Sequence, residues 1–181
     1  TVTDSAGNVS NTLSVAPFTV DTTAPSTTTI AAGAEHNCNV LDDGTVKCWG
    51  RGGTLGIDNY TTMGDNPGEM AQLTGINLGT GRTAKSITAG AYHTCVVLDD
   101  GSAKCWGENY YGQLGIDNST KMGDNSGEMA QLTGINLGTG RTATSISAKS
   151  YNTCAVLDDG SVKCWGRNNY GELGIDNTTD M

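Results

Sequence analysis

The chain has 181 residues, with nineteen acidic against ten basic side chains and a formal net charge of −9. The basic residues are scattered, which excludes a phosphate-backbone binder needing clustered Lys and Arg. No apolar run approaches the ~20 residues of a membrane-spanning helix, so neither nucleic acid nor membrane insertion is expected. Gly at 26 residues, with one Phe and three Pro, implies frequent turns and few long helices.

The first segment, residues 1–25, contains Thr1-Val-Thr-Asp-Ser-Ala-Gly-Asn-Val-Ser10 and Phe18-Thr-Val-Asp-Thr-Thr-Ala-Pro25. These stretches resemble the last strands of bacterial immunoglobulin-like repeats found in large surface proteins. Such a domain needs ~100 residues, so the resemblance implies only its C-terminal edge. No basic start and apolar stretch of a signal peptide is visible at Thr1. Residues 26–29 read as a linker.

From residue 30 onward one unit recurs. Cys38-Asn-Val-Leu-Asp-Asp-Gly-Thr-Val-Lys-Cys48-Trp-Gly returns from Cys95 to Gly107 and again from Cys154 to Gly166. A recurring period of this size marks a solenoid or a propeller. Each unit reads as β. Ser86–Ala89 is a short strand, and Thr94-Cys-Val-Val-Leu98 is an apolar run suited to a strand covered on both faces. Asp99-Asp100-Gly101 forms a three-residue hairpin loop with Gly in the left-handed position. Ser102–Trp106 returns antiparallel, and Met129–Leu137 leaves room for a fourth, irregular strand. Four short strands match one propeller blade.

The run Ala89-Gly-Ala-Tyr-His93-Thr-Cys-Val-Val-Leu, followed by Trp106-Gly-Glu-Asn-Tyr-Tyr-Gly112-Gln-Leu-Gly115, resembles the repeat of the regulator of chromosome condensation family. Both halves recur in register over roughly residues 29–181. The resemblance implies a closed β-propeller, about seven blades within the ~4–8 that propellers use. The first unit lacks the full Trp-Gly-x-Asn-x-x-Gly stretch, and the third has Asn152 where the His belongs. The Cys pair resembles bacterial, exported-looking members. The expected fold is all-β: an incomplete propeller of about two and a half units over 30–181, behind an immunoglobulin-like fragment. Met181 aligns with Met63 and Met122, so both ends read as cut and the remaining blades of the same propeller are expected partners.

The cysteines carry the clearest chemistry. Counting outward from the Asp-Asp-Gly loop places Cys95 opposite Cys105, Cys38 opposite Cys48 and Cys154 opposite Cys164, on pairs where side chains approach most closely. Within-hairpin disulfides are expected, with buried free thiols as the alternative. A zinc site would need His93, Cys95 and Cys105, or His36, Cys38 and Cys48. The third unit keeps both cysteines beside Asn152, which argues against a His-dependent metal, so no metal and no cofactor is expected. The oxygen-rich loops at 56–66 and 115–125 do not fit a calcium-binding loop. No nucleophile elbow, phosphate loop or dinucleotide fingerprint occurs, so catalysis is not expected.

Comparing units exposes where the chain varies. Leu55–Ile87 and Leu114–Ile146 differ only at Tyr60/Ser119, Thr62/Lys121, Pro67/Ser126 and Lys85/Thr144. Divergence concentrates at Ala34-Glu35, Ala91-Tyr92 and Ser150-Tyr151, and in the loop after Trp-Gly. That loop reads Arg51-Gly-Gly-Thr54, Glu108-Asn-Tyr-Tyr-Gly-Gln113 and Arg167-Asn-Asn-Tyr-Gly-Glu172. Arg51, Glu108, Tyr110, Tyr111, Arg167 and Tyr170 are the candidate binding residues, since Tyr and Arg dominate binding hot spots. The expected role is a non-catalytic binding or display module of an exported or cell-surface bacterial protein, its partner an unknown protein or a surface glycan. A structural spacer is the alternative, and an enzyme fragment ranks below both.

Overall fold

The structure is a computed structural model that describes residues 26–181. The immunoglobulin-like edge expected at 1–25 lies outside the described residues. Nine strands form three antiparallel three-stranded sheets, each in simple meander order. The first contains β1 (Thr27–Ala32), β2 (His36–Leu41) and β3 (Val46–Gly50). The second contains β4 (Ala84–Ala89), β5 (His93–Leu98) and β6 (Ala103–Gly107). The third contains β7 (Ala143–Lys149), β8 (Asn152–Leu157) and β9 (Val162–Gly166). Since β1 starts at Thr27, residues 27–29 are strand and not linker. The count of about two and a half units resolves into three sheets.

Each hairpin closes as its turn chemistry requires. The Leu98 N–H donates to Ser102 O at 2.8 Å, and the Gly101 N–H donates to Leu98 O at 3.0 Å. Asp100 Oδ1 accepts the Ser102 N–H at 3.0 Å, so the aspartate side chain braces its own turn. The register then sets Cys95 against Cys105, with the same pairing in the other two hairpins. All six cysteines are bonded in this way, as Cys38–Cys48, Cys95–Cys105 and Cys154–Cys164.

The expected fourth strand is absent among the described residues. Short helices stand there instead: α1 (Glu69–Gln72) in the first unit and α2 (Glu128–Gln131) in the second. The cause is local. The Glu128 carboxylate accepts the N–H groups of Gly123, Asp124 and Asn125, which winds the preceding loop into a turn. The extended residues beyond α2 make one backbone bond to the sheet, Ile135 N–H to Ala103 O at 2.8 Å.

The core lies between successive sheets. Because side chains alternate along a strand, Val96 and Leu98 of β5 pack toward the first sheet with Cys38, Val40, Trp106 and Met129. Cys95 and Val97 pack toward the third with Ala155, Leu157 and Trp165. β5 is therefore buried at every position, whereas β2 alternates buried and half-buried residues. Sheets of this size cannot bury a face alone, so each unit depends on its neighbour.

Candidate binding surface

The two divergent segments of each unit meet at one end of the sheets. The N–H of Arg51 donates to Glu35 O at 2.8 Å, that of Glu108 to Tyr92 O at 2.9 Å, and that of Arg167 to Tyr151 O at 2.9 Å. These bonds lay the loop after Trp-Gly against the turn before the central strand. They require a glycine between them, since a Cβ on Gly107 would stand 2.4 Å from Tyr92 O.

A continuous row of rings and guanidinium groups results. The Arg51 guanidinium lies 5.3 Å from the Tyr92 ring centre. Tyr92 and Tyr151 stand 6.1 Å apart, and Tyr151 and Tyr111 5.3 Å apart, both tilted. Arg167 sits 5.8 Å from Tyr111 and 5.9 Å from Tyr170. The row crosses all three units, and each tilted ring pair contributes roughly 0.5–1.5 kcal/mol beyond area burial. Arg51 is tied to Glu35 at 2.9 Å. Arg167 has no carboxylate partner among the described residues.

The candidates separate on this geometry. Arg51, Tyr111, Arg167 and Tyr170 belong to the row, and Tyr170 is 86% exposed. Tyr110 is 76% exposed but touches no ring of the row among the described residues. Glu108 is withdrawn from it, because its carboxylate binds the Lys121 ammonium at 2.8 Å with only 12% of the side chain exposed. Burial pulls the Lys121 pKa down, but its bonds to Glu108 and Tyr60 outweigh this and hold it above the ordinary value. Tyr92 and Tyr151 join the row although the residue reading leaves them outside it. Their divergence between units is the signal in the sequence that marks them.

The histidines lie beneath this surface at the junctions. His36 Nε2 is 2.8 Å from Thr94 Oγ1, and His93 Nε2 is 2.9 Å from Thr153 Oγ1 of the next unit. Thr153 donates its own hydrogen to Gln113 O, so His93 is the donor to Thr153, and its Nδ1 is a bare acceptor. Burial lowers both histidines to about 4, and the charge of His36 adds to the effect on His93. Both are neutral near pH 7 and face no solvent-exposed group on which to act. With every cysteine bonded to another, the sulfur atoms are not thiolate ligands. Among the described residues no group of three or more His, Cys, Asp or Glu converges as a metal site would need.

A cleft of about 880 Å³ opens beside Tyr111, Gly115, Asp117, Trp165 and Leu173. Its counterpart at the first junction is occupied by the chain itself. There Met129 is fully buried against Leu55 and Trp106, and its N–H donates to Asp58 Oδ1 at 2.8 Å. The cleft is thus a seat shaped for the repeat's own helical turn, and the Tyr–Arg row is the better candidate surface.

Comparison with known proteins agrees with this architecture. The regulator of chromosome condensation (RCC1) repeat matches residues 28–55, 84–113 and 143–172. The ultraviolet-B receptor UVR8 of Arabidopsis thaliana is 30% identical over 154 residues, covering 83% of this chain and 32% of that protein. Protein pim1 of Schizosaccharomyces pombe is 27% identical over 151 residues, covering 81% of this chain and 26% of that protein. The chain therefore spans a third or less of these relatives. Yeast RCC1 (Prp20), solved with Kap60 bound, superimposes with a TM-score of 0.63 at 21% identity, over 82% of this chain and 31% of that one. A Saccharomyces cerevisiae Prp20p structure, described with its binding to Gsp1p and histones, gives 0.58 at 13% identity over 83% and 34%. Three matched repeats, in register with three sheets of propeller type, place the chain in the regulator of chromosome condensation repeat family.

Proposed function

We propose that the chain is a non-catalytic binding module, part of an exported bacterial surface protein, that takes a protein partner on the row Arg51–Tyr92–Tyr151–Tyr111–Arg167–Tyr170. The observation that carries this reading is coincidence: the segments that diverge between otherwise near-identical units are those that build the row. Exposed tyrosines with planar cationic groups form the chemistry of interface hot spots. Prp20 is bound to Kap60 in its solved complex, which favours protein over surface glycan as the partner class. Disulfides in every hairpin support an oxidising compartment, and the resemblance of residues 1–25 to surface-protein repeats supports the bacterial exterior.

The test is replacement of Tyr111, Tyr151, Arg167 and Tyr170 by Ala. Binding to immobilised matrix proteins and to a glycan array is measured beside a circular-dichroism check of the fold. Loss of a protein signal with the fold intact is expected. A ligand held with unchanged affinity by the folded variant would remove the row from consideration. A second reading, a structural spacer, draws on the near-identity of Leu55–Ile87 and Leu114–Ile146. It is the outcome if no surface ligand binds the wild-type chain.

A further inference from the structure

Three tyrosines gather at the internal junction between the second and third units. Tyr92 stands in the turn before β5 and Tyr111 in the loop after β6, both in the second unit, and Tyr151 in the turn between β7 and β8 of the third. The Tyr151 ring centre lies 5.3 Å from that of Tyr111 and 6.1 Å from that of Tyr92, so Tyr151 is the hub of the group. All three rings are half-buried, open to a small solute but braced by their surroundings. Tyr60, Tyr110 and Tyr170 are far more exposed, yet none pairs with another ring among the described residues.

The backbone holds Tyr111 and Tyr151 in place from both sides of the junction. The Tyr111 N–H donates to Gln113 Oε1 at 2.9 Å. Gln113 O in turn accepts from Thr153 and Trp165 of the third unit. On the other side, Ser150 O accepts the Ala91 N–H at 2.8 Å, and Tyr151 O accepts the Arg167 N–H at 2.9 Å. These bonds keep the two rings within reach of each other while the fold is intact.

A phenol that gives up one electron and one proton becomes a radical, its spin shared between the oxygen and the Cε carbons beside it. Two such radicals in contact join through a Cε–Cε bond. Each coupled carbon returns its hydrogen to its phenolic oxygen, so the pair of rings loses two electrons and two protons in all. A cation over a ring opposes removal of an electron from it. Arg51 lies 5.3 Å from the Tyr92 ring centre and Arg167 5.8 Å from that of Tyr111. Tyr151 has no cation over its ring among the described residues, so its phenol is the easiest of the three to oxidise. Tyr111 is both the nearer neighbour and the one under the more distant cation. Thiols would quench such radicals, but all six cysteines are bonded in pairs.

We infer that Tyr111 and Tyr151 form a dityrosine site, at which one-electron oxidation joins the second unit covalently to the third. The oxidant class is a peroxidase with hydrogen peroxide, which takes up the two electrons and two protons and leaves as two waters. The bond would close the second junction, which is otherwise held by packing and hydrogen bonds. The inference stands on ring contacts within the chain and does not rest on the row's having a partner.

The test exposes the whole 181-residue chain, in dilute solution, to a small photogenerated one-electron oxidant and, separately, to a peroxidase with hydrogen peroxide. Dityrosine fluorescence is read in the monomer band of a denaturing gel, and the linked peptides are identified by mass spectrometry after reduction of the disulfides. The expected result is fluorescence in the monomer and a Tyr111–Tyr151 peptide pair. Tyr151→Phe and Tyr111→Phe, which keep the ring and its packing, should each abolish that pair. Tyr110→Phe and Tyr170→Phe should leave it unchanged although these residues are more exposed, and oxidation in urea should lose it with the fold. Dityrosine found only in covalent dimers, or monomer fluorescence that survives Tyr151→Phe, overturns the inference. A Tyr92–Tyr151 pair in place of Tyr111–Tyr151 overturns the assignment of Tyr111.

Discussion

The imidazole of His93 decides what can stand at Gly90. A Cβ on Gly90 would lie 2.2 Å from His93 Cε1, and one on Gly33 would lie 2.4 Å from His36 Cε1. The third unit shows the converse: with Asn152 in place of His, Lys149 occupies the glycine position. Gly-x-x-His is thus one packing unit in which the ring fills the space a side chain would need. Gly90→Ala should cost about 1–3 kcal/mol through overpacking. The same change made on His93→Asn should cost markedly less, so urea unfolding of the four proteins should give a coupling energy well away from zero. Burial also makes both rings a source of acid sensitivity. Their folded pKa of about 4 lies below the ordinary value of 6.5, so the unfolded chain binds more protons between these values. Stability is fully present above pH 6.5 and is lost as pH falls toward 4. The bare Nδ1 atoms, which have no partner, give a new imidazolium N–H no acceptor, which acts in the same direction. Melting temperature should fall over that window, and His36→Asn with His93→Asn should flatten the fall even if it lowers the plateau. An unaltered slope would mean that other groups carry the acid response.

Hairpins are the elements most legible in the sequence, because turn and cysteine spacing count the same residues. Asp-Asp-Gly fixes the loop length, loop length fixes the register, and register brings Cys95 to Cys105. The segment after each hairpin is less legible. A strand over Met129–Leu137 is a fair expectation from its apolar content, yet α2 forms there because Glu128 gathers three backbone N–H groups. That interaction leaves no periodic trace. The start of β1 is hidden for a similar reason, since Thr27–Thr29 are exposed and polar and only pairing with β2 makes them strand. The row of rings is half legible: variability marks Tyr92 and Tyr151, but their contacts cross between units far apart in the chain. The hairpins also differ in access. Cys38–Cys48 and Cys95–Cys105 are fully buried under the next sheet, while Cys154–Cys164 is half-buried on the outer face. Each closes a short loop and contributes about 3 kcal/mol at most. Native protein should contain no titratable thiols, and limited reduction with subsequent alkylation and mass spectrometry should label Cys154 and Cys164 first. Equal labelling of all three pairs would show that the sheets separate before any sulfur is reached.

At the scale of the whole molecule, stability is a sum of sheets and of the junctions between them. The second unit takes part in both junctions, and β5 is buried on both faces. Among the described residues the first and third units each take part in one. Opening an outer unit exposes one core, whereas exposing β5 requires both to be lost. The junctions are not equivalent. At the second, Gln113 O accepts both Thr153 Oγ1–H and Trp165 Nε1–H at 2.9 Å. At the first, the shorter loop holds Thr54 in that place, and Trp106 Nε1–H is buried without a partner. A different contact is found there: the Lys121 ammonium lies 4.4 Å from the Tyr60 ring centre and 2.9 Å from its hydroxyl. Tyr60 and Lys121 account for two of the four differences between otherwise matching units, so this contact belongs to the first junction alone. Native-state hydrogen exchange in dilute protein should therefore rank β5 amides slowest, with β2 and β8 faster because each can open with one junction. Trp106→Ala, which removes the centre of the first core, should cost about 3–5 kcal/mol. Its effect should be concentrated in β1–β3, whose amides would exchange as though no longer docked, while β8 retains its protection. A single common exchange rate in all three sheets, slowed or quickened together by Trp106→Ala, would show that the units fold as one body and that the junctions cannot be treated separately.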